Sequence, residues 1–153
     1  MALKVGDKAP NFKLASTSGE DFVLDETLQG KPCILYFYPK DFTRGCTAEA
    51  CDFRDNITFF NQFEVDVLGI SRDTIATHQS FRSQYELPFH LLSDKNGKVS
   101  AKYNALIPII GINKRITYLL DTEHTIVAIY DNFFGAKEHI QNMIAKVKNL
   151  ENN

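Results

Sequence analysis

Cys46 and Cys51 stand five residues apart in the stretch Tyr36-Phe-Tyr-Pro-Lys-Asp-Phe-Thr-Arg-Gly-Cys-Thr-Ala-Glu-Ala-Cys51, directly after an apolar run. Two of the three cysteines of the chain lie there. A strand, a sharp turn and a helix opening near a cysteine make a thiol reactive. A free thiol has a pKa near 8.5, so about 3% is thiolate at neutral pH, whereas a pKa near 6 makes it about 90%. The first turn of a helix supplies such a shift through its unpaired N–H groups and the positive end of its dipole. Thr43 is the N-cap candidate, which puts Arg44 at the first helical position and Cys46 at the third. The Thr43 hydroxyl can also donate to a thiolate or to an incoming oxygen. Arg44 adds positive charge to the same turn, screened where its side chain points to solvent. Arg115 opens a later strand-like run, and if that strand pairs beside residues 33–38 its guanidinium can reach Cys46.

The spacing of the two thiols has a mechanical consequence. Residues five apart in an intact α-helix rise by about 7.5 Å and differ by about 140° in direction. A disulfide needs Cα atoms within about 7 Å and converging Cβ vectors. Cys46 and Cys51 therefore cannot bond while the helix stands, and bonding requires its first turns to unwind, a two-state element.

The elements around these residues alternate between the two periods. Residues 11–14 and 21–24 read as short strands about a turn at residues 17–20. Residues 33–38 form a continuous apolar run, fit for a central strand buried on both faces and ended by Pro39. Residues 47–60 read as a helix with Phe53, Ile57 and Phe60 inward. Residues 65–70 are the next buried strand, and 74–85 a helix with Ile75, Phe81 and Tyr85 inward. A short strand at 89–93, a turn at 94–97 and a short helix at 99–103 follow. Residues 115–120 and 125–130 form a late hairpin, and 136–150 a closing amphipathic helix with Ile140, Met143, Ile144 and Val147 on one face. This order predicts an α/β fold with a mixed central sheet flanked by helices and an N-terminal β-hairpin.

The 153 residues suit one domain spanning 1–153. With 44% hydrophobic and 24% charged residues the composition is globular, and a net charge of −2 argues against nucleic-acid or anionic-membrane partners. No apolar run is long enough to span a bilayer, and residues 1–10 hold no apolar core of a signal peptide. The expectation is a soluble, cytoplasmic protein, a reducing setting in which paired cysteines are catalytic or metal-binding more often than structural.

The stretch from Tyr36 to Cys51 resembles the active-site signature of the peroxiredoxins, most closely the bacterioferritin-comigratory or Q-type branch. The likeness continues through residues 6–12, 53–55, 67–71, 91–94 and 115–121, and weakens after about Tyr130. It implies a thioredoxin-like fold with an N-terminal extension. Cys46 then matches the peroxidatic cysteine, which attacks the O–O bond and becomes a sulfenic acid. Pro39, Thr43 and Arg115 match the pocket residues that shield the thiolate, bond the peroxide and lower the thiol pKa. Cys51 matches the resolving cysteine of branch members that keep it in this helix, where it closes an intramolecular disulfide. The resemblance further implies hydrogen peroxide and small organic hydroperoxides as substrates, thioredoxin or a similar dithiol as reductant, no metal or organic cofactor, and a monomer. A nearby second thiol traps a sulfenic acid before further oxidation.

Two positions depart from the family pattern. Arg44 stands where Pro is usual, and His124 closes the late turn where Gly is common. Cys33 reads as an inert core residue, and Glu49 as a helix residue favouring the dipole. His78, His90, His124 and His139 show no metal spacing and read as solvent or turn residues. The segment from Phe133 through Phe134 to Gly135 either covers the site or packs. The competing functions are a redox sensor or holdase relaying oxidation to a partner, and a thioredoxin-like disulfide reductase, which lacks its Cys-x-x-Cys.

Overall fold

The computed structural model describes residues 2–133 and 135–151. In chain order the elements are β1 (Lys13–Ser16), β2 (Phe22–Val23), α1 (Leu24–Thr27), β3 (Cys33–Phe37), α2 (Arg44–Asp55), α3 (Ile57–Gln62), β4 (Asp66–Ser71), α4 (Ile75–Gln84), β5 (His90–Ser93), α5 (Lys98–Lys102), β6 (Ile116–Leu120), β7 (Ile126–Asp131) and α6 (Ala136–Glu151). The strands form one sheet in the order β2-β1-β5-β4-β3-β6-β7. β3, β4 and β5 run parallel, while β6 and β7 on one side and β1 and β2 on the other are antiparallel additions. The sheet is thus mixed, and the N-terminal hairpin joins its edge beside β5.

The apolar run of β3 is buried along its whole length, as a central strand must be. Its side chains alternate between two cores. Cys33, Leu35 and Phe37 face one side with Ile70, Tyr103 and Tyr118. Ile34, Tyr36 and Tyr38 face the other, under Phe53 of α2, Phe60 of α3, Phe81 of α4 and Met143 of α6.

The first long helix differs from the expected 47–60. It begins at Arg44, the first helical position that Thr43 as N-cap predicts, and breaks at Asn56, which has φ −109° and ψ 10°. The Asn56 amide donates to the Asp52 carbonyl at 2.8 Å, and this local bond competes with continuation of the helix. The four-residue helix α1 is too short to leave a periodic signal in sequence. His124 does take the left-handed conformation of the late turn, with φ 60°.

Candidate active site

The C-terminal end of β3 delivers the chain into residues 38–43 and then into α2. Thr43 occupies the N-cap position with extended backbone, φ −78° and ψ 154°. Its hydroxyl does not cap the helix. It donates to the Lys40 carbonyl at 2.8 Å, which tightens the turn. Cys46 is the third helical residue, where the N–H groups are unpaired, and its side chain is 1% exposed.

β6 pairs antiparallel with β3, with Ile116 opposite Phe37. Arg115, one residue before the strand, therefore reaches the start of α2. Its guanidinium is clamped by three groups: Nε donates to the Phe133 carbonyl at 3.0 Å, Nη1 to Glu49 Oε1 at 2.5 Å, and Nη2 to Cys46 Sγ at 3.5 Å. Gly45 makes this approach possible. A Cβ there would stand 3.0 Å from Arg115 Nη2. Pro39, Thr43, Gly45, Cys46, Arg115 and Phe133 line a pocket of about 330 Å³, closed by Ala136. A larger hollow of about 540 Å³ lies at the opposite end of the sheet, among Pro32, Phe63, Thr122 and Leu150, and holds no thiol.

The structure thus brings Pro39, Thr43, Cys46 and Arg115 together. Cys51 stands apart from them, half-buried in the intact helix, and all three cysteines are free. Cys33 is buried in β3, where desolvation and the nearby Asp66 push its thiol far above the ordinary value, so it stays protonated and inert. Phe133 lies in the wall of the pocket, while Phe134 is outside the described residues.

Three residues belong to the site or its support although their types and spacing did not single them out. Glu49 is fully buried, and burial pushes its carboxyl up against the opposing pull of Arg115. Its position three residues after Cys46 was the available signal, since i and i+3 share a helix face. His139 is buried as well, a correction to its solvent reading. Its Nε2 donates to the Asn132 carbonyl at 2.8 Å and its Nδ1 accepts from the Thr117 hydroxyl at 2.8 Å, with Glu49 Oε2 3.8 Å away. Desolvation lowers its pKa to about 4, so the ring is neutral. His78 is likewise buried, bonded to Asp41 at 2.6 Å. Both rings lie on the apolar faces of their helices, His139 with Met143 and Val147, His78 with Phe81 and Tyr85, so helix period rather than metal spacing carried the information.

The AhpC/TSA family model matches residues 5–129. This chain belongs to the AhpC/TSA family of peroxiredoxins. Within the family it groups with the Bcp and peroxiredoxin Q proteins. It is 46% identical to a putative peroxiredoxin bcp of Coxiella burnetii over 136 residues, 85% of this chain and 89% of that one. It is 39% identical to a chloroplastic peroxiredoxin Q of Triticum aestivum over 146 residues, 95% of this chain and 67% of that one. Among solved structures, the peroxidoxin BcpB of Mycobacterium tuberculosis superposes with a TM-score of 0.89 at 30% identity, covering 95% of this chain and 97% of that one. A Xanthomonas campestris bacterioferritin comigratory protein, studied for alkyl peroxide reduction, superposes at 0.80 with 27% identity and 90% of each chain covered. The fold is therefore thioredoxin-like, as the resemblance implied, and the activity of this peroxiredoxin is thiol-dependent reduction of peroxides. Among the described residues no helix is long and apolar enough to cross a membrane.

Proposed function

We propose that Cys46 is the peroxidatic thiolate and Cys51 the thiol that resolves it. The observation that carries this reading is the Arg115 Nη2 to Cys46 Sγ contact of 3.5 Å at the first turn of α2, facing a pocket lined by Pro39 and Thr43. The thiolate attacks the terminal peroxide oxygen, an S–O bond forms and the O–O bond breaks. Cys46 becomes a sulfenic acid and the leaving alkoxide or hydroxide takes a proton. Arg115 and the N–H groups of the first turn stabilise the thiolate and the charge growing on the leaving oxygen. The Thr43 hydroxyl aligns the peroxide, and Pro39 keeps water from the sulfur. The first turns of α2 then unwind, the Cys51 thiol gives up its proton and attacks the sulfenic sulfur, the S–O bond breaks, and the hydroxide leaves with that proton as water as the disulfide forms. Two electrons and two protons from a dithiol close the cycle.

The pocket volume of about 330 Å³ accommodates hydrogen peroxide and small organic hydroperoxides. The reductant is thioredoxin or a similar dithiol protein, and the chain acts as a cytoplasmic monomer built as one domain over residues 1–153. The sulfur needs no metal or organic cofactor, because the substrate brings its own weak bond.

The test is NADPH oxidation coupled through thioredoxin reductase and thioredoxin, with wild type, Cys46→Ser and Cys51→Ser. Wild type turns over repeatedly, Cys46→Ser is dead, and Cys51→Ser works only with small thiols. One equivalent of peroxide consumed per chain and then silence would instead mark a redox sensor. After one equivalent of peroxide, mass spectrometry finds a 46–51 disulfide within one chain. A persistent sulfenic acid, or a bond between chains, overturns the role given to Cys51.

A further inference from the structure

Residues 38–43 decide where α2 begins and hence where Cys46 points, and side chains from other elements hold them. The Asp41 N–H donates to Asp73 Oδ2 at 2.9 Å, which also accepts from the Ser71 hydroxyl at 2.5 Å. The Asp41 carboxyl is buried: Oδ1 accepts from the Tyr38 hydroxyl at 2.6 Å, and Oδ2 lies 2.6 Å from His78 Nδ1. His78, fully buried on α4, has its other ring nitrogen 3.0 Å from the Leu92 carbonyl. A carbonyl only accepts, so Nε2 carries a proton. The Nδ1 to Oδ2 contact then holds one more proton between ring and carboxyl.

The next residue adds a second handle from the same helix. Phe42 has φ 66°, a conformation rare outside glycine. Its ring packs edge-on against Phe81 at 5.1 Å and beside Tyr85 at 6.4 Å, both at the end of α4 that follows His78. Asp41, Asp73 and His78 also converge within 4.8 Å, a spacing compatible with a metal ion. The ring nitrogens, both Asp41 oxygens and Asp73 Oδ2 already have protein partners, so a structural bond network accounts for them.

We propose that His78 is a positioning residue for peroxide reduction: through Asp41 it locks the turn that sets Thr43 over the pocket where the peroxide meets Cys46. The lock acts on geometry. A peroxide must meet the sulfur with its two oxygens in line, and a displacement of about 1 Å can cost on the order of 100-fold in rate. The proposal rests on Cys46 being the peroxidatic cysteine. Loss of peroxide consumption in Cys46→Ser tests that assignment separately.

The experiment compares wild type, Asp41→Asn, Asp41→Ala, His78→Asn and the Asp41→Ala/His78→Asn pair, each checked for its fold by circular dichroism. Two rates are measured on the reduced protein: peroxide consumption, by competition with a second peroxidase, and iodoacetamide alkylation of Cys46 across pH. Alkylation needs the thiolate but not the aligned oxygens. Asp41→Asn keeps every bond, since its amide donates to Nδ1 of a neutral ring, and stays within about threefold of wild type. Asp41→Ala and His78→Asn lose at least tenfold in peroxide rate with the alkylation midpoint unmoved, and the pair loses no more than the worse single variant, as for residues acting as one unit. Unchanged peroxide rates overturn the proposal. So does an alkylation midpoint that moves with the rate, or an Asp41→Asn variant as slow as Asp41→Ala, since each would assign the effect to charge. If His78→Asn does not fold, the contrast between Asp41→Asn and Asp41→Ala decides alone.

Discussion

At the scale of the residue, the site depends on one guanidinium serving two groups, a buried carboxyl and a thiol. Arg115 donates to the Glu49 carboxyl and to the Cys46 sulfur at once, and a third bond to the Phe133 carbonyl fixes the angle between them. The guanidinium lies close over Gly45 of α2. Gly45→Ala would bring a methyl group to 3.0 Å from Nη2, and the clamped guanidinium must retreat by a few tenths of an ångström. The expected outcome is a roughly tenfold slower peroxide reaction with normal stability, measured by competition kinetics and urea unfolding. A variant as fast as wild type would mean that the 3.5 Å contact is not required.

At the scale of the element, the proposed cycle asks α2 to be two things. Folded, it presents Cys46 at its first turn. Unwound, it lets Cys51 reach. α4 holds both flanks of this segment, through Asp41 and Phe42 before it and through the Arg54 guanidinium, which donates to the Tyr85 carbonyl at 2.8 Å, after it. Arg44 and Arg54 thus predict opposite effects on one step. Arg44→Pro presets φ at the first helical position, so disulfide formation after a peroxide pulse slows while the peroxide rate is kept. Arg54→Ala removes the anchor at the far end, and disulfide formation quickens. Rapid quench with thiol alkylation and mass spectrometry reads both. A faster Arg44→Pro or a slower Arg54→Ala would contradict unwinding as the controlled step.

At the scale of the whole molecule, three elements meet behind the sulfur: Glu49 from α2, Thr117 from β6 and His139 from α6. Arg115, Asp131, Glu138 and Glu49 act on the ring, yet burial dominates and keeps it neutral. The folded value of about 4 lies below the ordinary 6.5, so the unfolded chain takes the proton first as pH falls. Its contribution is complete above about pH 6.5 and is lost toward pH 4, on the order of 3 kcal/mol. Glu49 has the opposite sign, since its raised value favours the fold at low pH, and it is common to both proteins in the comparison. Between pH 7 and 4.5, wild type should therefore lose more urea stability than His139→Asn. Equal losses would show that His139 does not titrate this way.

The sequence alone determined that a helix starts just before Cys46, because a strand ending at a proline, a threonine at the N-cap position and a thiol two residues beyond the first helical position are local properties of adjacent residues. It also determined that Cys46 and Cys51 cannot meet in a standing helix, which is arithmetic of rise and turn. The strands, α4 and α6 were legible from their period, within a few residues at their ends, whereas the break between α2 and α3 at Asn56 was not. What only the tertiary structure decided were the pairings across the sheet: Arg115 onto Cys46, Glu49 onto Arg115, and His78 and His139 into buried bonds. These residues are 37 to 69 positions from the partners they support in three of the four cases, and 22 in the fourth. A histidine's type does not say whether it faces water or a carboxylate. Burial sets that, and burial is a property of how the helices pack on the sheet.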